Sequence, residues 1–386
     1  MVTTIQQVLH PFFILCFITG LDFYPRKQPR IQWTVNLSIL YSLTIWFAYI
    51  YVLYFIIIGF RGIISTSGKI IHEISTFTTI VSAIMSHYHQ KRFTICLKKL
   101  AIVDDSLEEL GTPKMYQKMH MWSKIVIIGW LVLSLFTNFY DSLWWLKKSG
   151  NAYVSYALNH SIHINTLVDL LFISILWYVG TRFDKVNEHM QYLLVREEHG
   201  LRCTWEKPDV IVHRYILYTD NYKRTLWILM HVHLELCRLA RELNMIFGMQ
   251  MTLEMTSCFL YLTGLCHWLC QMVMREYNDE EKYTIYLYFR QGTWLFLFLL
   301  KLYTVNYMCE NVSLKANQID KIIHKLSNTL RYADVWKEIC QFTLQITYHQ
   351  LKFTGMGLFY FGNSFLRKWG TTVVTFVLIM RQMKIA

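Results

Sequence analysis

The sequence predicts an all-α membrane protein of seven spanning helices, with a cytosolic N-terminus and an extracellular C-terminus. Composition is the first reason. Of 386 residues, 54% are hydrophobic and only 17% charged, where a soluble domain carries roughly 25% charged residues. Mean hydropathy is +0.27. The second reason is a series of apolar runs near the length, about 20 residues, that a spanning helix needs. The third is the way the basic residues sort between the loops. The same composition excludes disorder, collagen and a disulfide scaffold, and with five prolines it shows no string of linkers. The net charge of +12 would suggest nucleic-acid binding on a soluble chain. Here the bases gather in particular loops, so no nucleic-acid partner is expected.

Taken in order, Val8–Leu21 is apolar but shorter than a span and contains Pro11, which predicts a short interfacial or re-entrant helix. A signal peptide would want a basic leader and a small-residue cleavage site, and neither is clear. Spans follow near Trp33–Ile58, Ile70–Tyr88, Lys124–Leu146, Ser161–Gly180, Gly248–Val273 and Tyr283–Met308, with a last one near Trp369–Met380. The second is interrupted by His72, Glu73 and several hydroxyl residues, but the charge pattern requires it. The N-terminal stretch and even-numbered loops hold about 28 Lys and Arg, the odd-numbered loops and tail about 8. Bases stay on the cytosolic side, which fixes the orientation. A G-protein-coupled receptor runs the other way, and its acidic-Arg-Tyr and Asn-Pro-x-x-Tyr motifs are missing here. The sequon Asn159-His160-Ser161 falls outside but too close to span four for use.

The nine cysteines fit no zinc spacing and read as reduced thiols in the core. Cys266-His267-Cys270 and His231-x-His233-x-Glu235 do not supply four well-spaced ligands, so no metal and no cofactor is expected. No nucleophile motif or phosphate loop suggests an enzyme.

Between Lys368 and Arg381 lie about twelve residues, roughly 18 Å of helix against a hydrocarbon core of about 30 Å. Such a helix should be wrapped in protein or line water. Helical spacing puts Thr372, Thr375, Ile379 and either Gln382 or Met383 on one stripe. That stripe suits a narrow water path, or equally a central bundle helix whose threonines bond back to their own carbonyls.

The C-terminal residues Phe342-Thr-Leu-Gln345, Leu351-Lys-Phe353-Thr-Gly-Met-Gly357-Leu-Phe359 and Thr375-Phe-Val-Leu-Ile-Met-Arg-Gln382-Met383 resemble the insect gustatory receptors. Their last helix reads Thr-Tyr, five hydrophobic residues, Gln-Phe. This chain matches at Thr375 and Gln382 and departs at Phe376, Arg381 and Met383. The strong similarity covers about the last fifty residues, and the inverted topology extends it. The resemblance implies a ligand-gated, nonselective cation channel at the plasma membrane of sensory dendrites. It implies assembly as a homotetramer or with sister subunits, among membrane lipids and permeant cations, with Gln382 and Met383 forming the gate and a small-molecule tastant opening it. It also implies a division into 1–32 (cytosolic segment), 33–308 (six-helix ligand-binding bundle), 309–368 (cytosolic anchor helices) and 369–386 (pore helix). The amphipathic stretches Val210–Leu243 and Ala316–Leu330 would belong to the anchor. Four Arg381 side chains at the outer mouth would repel cations unless they turn aside, toward an acid such as those of Asp279-Glu280-Glu281. Val377 stands where sugar-sensing members carry Glu, which favours other small organic ligands. An odorant-receptor-like subunit, a metabotropic seven-helix receptor, and a transporter or membrane enzyme are the alternative readings.

Ionisable residues inside a bilayer are costly and carry functional hypotheses. Asp169 and Arg290 are expected at similar depth, facing one cavity and pairing. Glu73, Thr76, Asn138, Asp141, Trp145, Asn165, His267, Tyr286 and Trp294 share that depth as candidate ligand contacts. Glu254 and Lys301 are expected to form a second, structural pair.

Overall fold

The computed structural model describes residues 3–24, 32–60, 62, 64, 66–203, 211–274, 281–329 and 333–385. Its elements run α1 (Ile5–Ile18), α2 (Gln32–Gly59), α3 (Thr66–Glu109), α4 (Tyr116–Ser149), α5 (Tyr153–Cys203), α6 (Ile211–Met274), α7 (Glu281–Thr329), α8 (Ala333–Tyr348), β1 (Thr354–Gly355), β2 (Phe359–Tyr360) and α9 (Asn363–Ile385). Among the described residues the fold is therefore helical apart from one small antiparallel hairpin.

The segment α1 starts at Thr4, whose side-chain oxygen accepts from the Gln7 N–H, the usual way to satisfy an orphan helix donor. Val8, Leu9, Phe12, Phe13 and Cys16 bury one face in the core, while Ile14, Phe17 and Ile18 remain exposed. The apolar helix α2 is exposed along much of its length, with Leu37, Leu40, Phe47, Tyr51 and Phe55 outward, as a lipid-facing span requires. By length and composition, Val35–Gly59, Tyr116–Ser149 and Tyr153–Val195 qualify as spans on their own among the described residues. Helices α3, α6, α7 and α9 carry ionised or polar residues within their expected spans, and those residues are buried against one another in α6 and α7.

The long amphipathic stretches are not separate helices. Helix α6 has 64 residues and α7 has 49, so each span continues unbroken past the bilayer. The boundary between 308 and 309 thus falls inside α7. Asp104 on α3 meets Arg182 on α5, Oδ1 to Nε 2.8 Å, with both side chains fully buried. The Tyr178 hydroxyl donates to Asp104 Oδ2 at 2.7 Å. Burial lifts the Asp104 carboxyl above its ordinary range, against the pull of Arg182. Cys16, Cys96, Cys237, Cys258, Cys266, Cys309 and Cys340 form no disulfide among the described residues.

One expectation about the last helix is corrected. Helix α9 has 23 residues, about 34 Å at 1.5 Å per residue, because Lys368 and Arg381 lie within it rather than at its ends. Charges at those positions do not stop a helix, since their long side chains can leave the bilayer sideways.

Candidate functional site

Two clusters of ionisable groups sit inside the bundle, and both differ from the expected pairing. In the first, Asp141 on α4 accepts from Arg290 Nε on α7 at 2.5 Å through Oδ1. Its Oδ2 accepts from Asn159 Nδ2 at 2.7 Å and from Trp294 Nε1 at 3.1 Å. Asn159 also donates to Asn138 Oδ1 at 3.1 Å. The Arg290 guanidinium lies over the Trp144 ring, 4.5 Å from its centroid. Both Asp141 oxygens are occupied, so this is a satisfied one-to-one ion pair that fastens α4, α5 and α7.

In the second cluster, Asp169 on α5 pairs not with Arg290 but with Lys301, Nζ to Oδ2 2.7 Å. Lys301 also binds Glu254 on α6. The expected Glu254–Lys301 pair is present, as two sides of a buried triad. Depth explains the exchange of partners. Asp141 lies eight residues from the end of α4 and Arg290 nine from the start of α7, so they meet near one surface. Helix α5 begins at Tyr153, not Ser161, which places Asp169 sixteen residues in and so deeper, level with Lys301.

Beside the triad, α4, α5 and α7 border a half-open cavity of about 220 Å³ lined by Asp169 and Lys301. Trp130, Trp294 and Phe298 give it aromatic walls, while Ser134, Thr137, His163, Thr166 and Thr304 add sparse polar groups. Of the expected ligand contacts, only Asp169 and Trp294 line it. Asn138, Asp141 and Arg290 belong to the satisfied cluster. Thr76 and Asn165 are buried at the α3–α5 contact, where Asn165 Nδ2 donates to the Ser75 carbonyl at 3.2 Å. Trp145 packs edge-on to Phe60 with Leu53 and Ile56. Glu73 is exposed, His267 is half-buried on α6, and the Tyr286 side chain lies outside the described residues. The cavity residues missed by the sequence reading are hydroxyls and aromatics that look like ordinary span residues; no charge marks them.

The histidine grouping on α6 is otherwise engaged. His233 Nε2 meets the Ala316 carbonyl at 3.0 Å, His231 stacks on Trp227, and Glu235 pairs with Arg238.

Helix α9 packs one face on α6, with Val373 buried and the Phe259 ring edge-on to both Trp369 and Phe376. A neighbouring face carries Thr371, Thr372, Thr375 and Ile379, which with Lys368 and Phe376 border an open groove of about 430 Å³. The threonine hydroxyls donate to the carbonyls four residues back. Gln382 is exposed at the far end, and the side chains of Arg381 and Met383 lie outside the described ones.

The hairpin before α9 ties it to the helices of the triad. Asn244 on α6 accepts the Thr354 N–H at 3.1 Å. On α7, Asn306 accepts the Gly362 N–H at 3.0 Å and Glu310 the Asn363 N–H at 2.6 Å. The turn needs its glycines: Gly357 has φ +76°, and a Cβ on Gly355 would lie 2.5 Å from the Phe359 ring. Asn306 is five residues from Lys301, so the helix that carries the triad's base also holds the entry of α9.

A family model described as 7tm Chemosensory receptor matches residues 9–386. A Drosophila melanogaster protein bearing the name gustatory receptor 28b is 22% identical over 335 residues, 84% of this chain and 71% of that protein. In structure the chain resembles the insect olfactory receptor OR5 from Machilis hrabei, at a TM-score of 0.69 and 13% identity over 97% of both chains. It also resembles OR5 solved in complex with eugenol, at a TM-score of 0.62 and 14% identity, again over 97% of each. The chain belongs to the 7tm chemosensory receptor family.

Proposed function

We propose that this chain is a subunit of a ligand-gated, nonselective cation channel, opened by a small-molecule tastant and assembled as a tetramer of itself or with sister subunits. The exposed hydroxyl face of α9 carries the reading. A helix at membrane depth that turns Thr371, Thr372 and Thr375 outward is poorly suited to acyl chains. Four copies of that face around one axis would enclose water. Because each hydroxyl proton is spent on a backbone carbonyl, the oxygens would offer lone pairs to the axis, which suits cations. Gln382 and Met383 would form the constriction, 309–368 the cytosolic anchor and 33–308 the ligand-binding bundle. Plasma-membrane localisation follows from the same reading.

The aromatic cavity beside Asp169 is the ligand site in this proposal. The OR5 complex with eugenol supports a small organic ligand within this fold. Ligand entry would move α7 against α5, and the amide bonds from Asn306 and Asn244 would carry the movement to α9.

Two measurements test it. An epitope tag on the C-terminus should stain on intact cells; staining only after permeabilisation would remove the channel topology. Gln382→Ala should alter ligand-evoked opening or basal leak in patch recordings. Unchanged currents at normal surface expression would take the gate role away from Gln382.

A further inference from the structure

The ligand cavity has a charge imbalance that points to the chemistry of its occupant. Two carboxylates, Asp169 and Glu254, share one ammonium, Lys301, so the buried triad sums to one negative charge when all three are ionised. The side chains of all three are at most 8% exposed. Asp169 lines the cavity, and its Oδ1, shielded from a molecule the size of water, has no hydrogen-bond partner among the described residues. A carboxylate oxygen left bare at membrane depth is expensive unless something else completes it.

Most other polar groups of the lining spend their protons within the protein. Thr166, Thr304 and Thr137 each give their proton to a carbonyl of their own helix. Trp294 Nε1 is committed to Asp141 and Trp130 Nε1 to the His163 carbonyl. Lys301 donates to Glu254 and forms an ion pair with Asp169 Oδ2 at 2.7 Å, so its one charge is shared by the two acids. What remains is aromatic faces, hydroxyl lone pairs, one donor of the Ser134–His163 pair and the Asp169 carboxylate, and the surplus acid tips this set toward a positive N–H donor. The other titratable groups near Asp169 are His163 on its own helix and Cys258 on α6, beside Glu254. The Asp141–Arg290 pair further out is neutral as a unit.

We infer that the cavity selects a small organic cation, an aromatic or alkyl ammonium, with Asp169 as its counter-ion and Trp130, Trp294 and Phe298 enclosing its apolar part. This rests on the proposal that the cavity is the ligand site and adds the class of ligand. Its volume of about 220 Å³ leaves room for one ring and a short tail, since about 150 Å³ already holds benzene.

The test is a charge series on one skeleton, applied to the full chain: 2-phenylethylamine, 2-phenylethanol and phenylacetate, carrying +1, 0 and −1. Binding is read as the shift in unfolding midpoint of the purified protein, and gating as current in cells expressing it. The amine should bind at least about tenfold more tightly than the alcohol, the scale of one charge-assisted hydrogen bond, and the acid most weakly. Asp169→Asn should erase the preference for amine over alcohol. If that variant does not fold, the wild-type order alone decides. An alcohol or acid that binds as well as the amine, or no binding by any of the three at millimolar concentration, overturns the inference. Binding of the amine without current would instead sink the channel reading and leave the ligand class standing. Current evoked by the alcohol but not the amine would do the reverse.

Discussion

The two buried ion clusters are built from the same residue types and end in opposite states. At Asp141, one acid meets one base and every carboxylate oxygen has a partner: Arg290, Asn159 and Trp294. At Asp169, two acids compete for Lys301 and carboxylate oxygens are left over on both Asp169 and Glu254. The first uses its ions to clamp three helices. The second keeps unspent electrostatic potential facing a cavity. Satisfaction of the hydrogen-bond inventory, rather than the presence of charge, separates glue from a binding group in this bundle.

Breaking the satisfied cluster should give the larger effect. Arg290→Met leaves Asp141 buried without its counter-ion, and the expected cost is about 3–5 kcal/mol. That would appear as lost surface expression and a lower unfolding midpoint. Adding Asp141→Leu to it should restore most of the loss, because two apolar residues leave no stranded charge. A double variant as unstable as the single one would show that Asn159 and Trp294, not the ion pair, hold α4 in place.

Glu254→Gln sharpens the contrast from the other side. It converts the triad into a balanced Asp169–Lys301 pair, so the expected cost is below about 1 kcal/mol. A penalty as large as that of Arg290→Met would mean that the surplus charge is already compensated within the protein. The distinction between the clusters would then fail.

Much of this was legible in the chain, and the misses share a cause. Asp141, Asp169, Glu254, Arg290 and Lys301 stand out because a charge in an apolar run is conspicuous. Their partners did not follow, because partner choice depends on depth and depth was counted from a span edge. Placing the start of α5 eight residues late, at Ser161 instead of Tyr153, moved Asp169 toward the surface and onto the wrong base. Thr166, Thr304 and Trp130 gave no signal at all. A threonine facing a cavity and one bonding into its own helix have the same sequence context, and here each does both. The α9 stripe was visible as a period, yet the helix is far longer than twelve residues, since Lys368 and Arg381 lie within it instead of ending it.

Composition, apolar run length and the sorting of bases were enough to establish a helical membrane protein and to locate its costly residues, since transfer of each side chain into lipid is a local property. Which acid meets which base, where a void survives, and which face of α9 stays uncovered depend on the register of helices far apart in the chain. Those relations are set by packing, where a displacement of two helical turns exchanges one ion-pair partner for another.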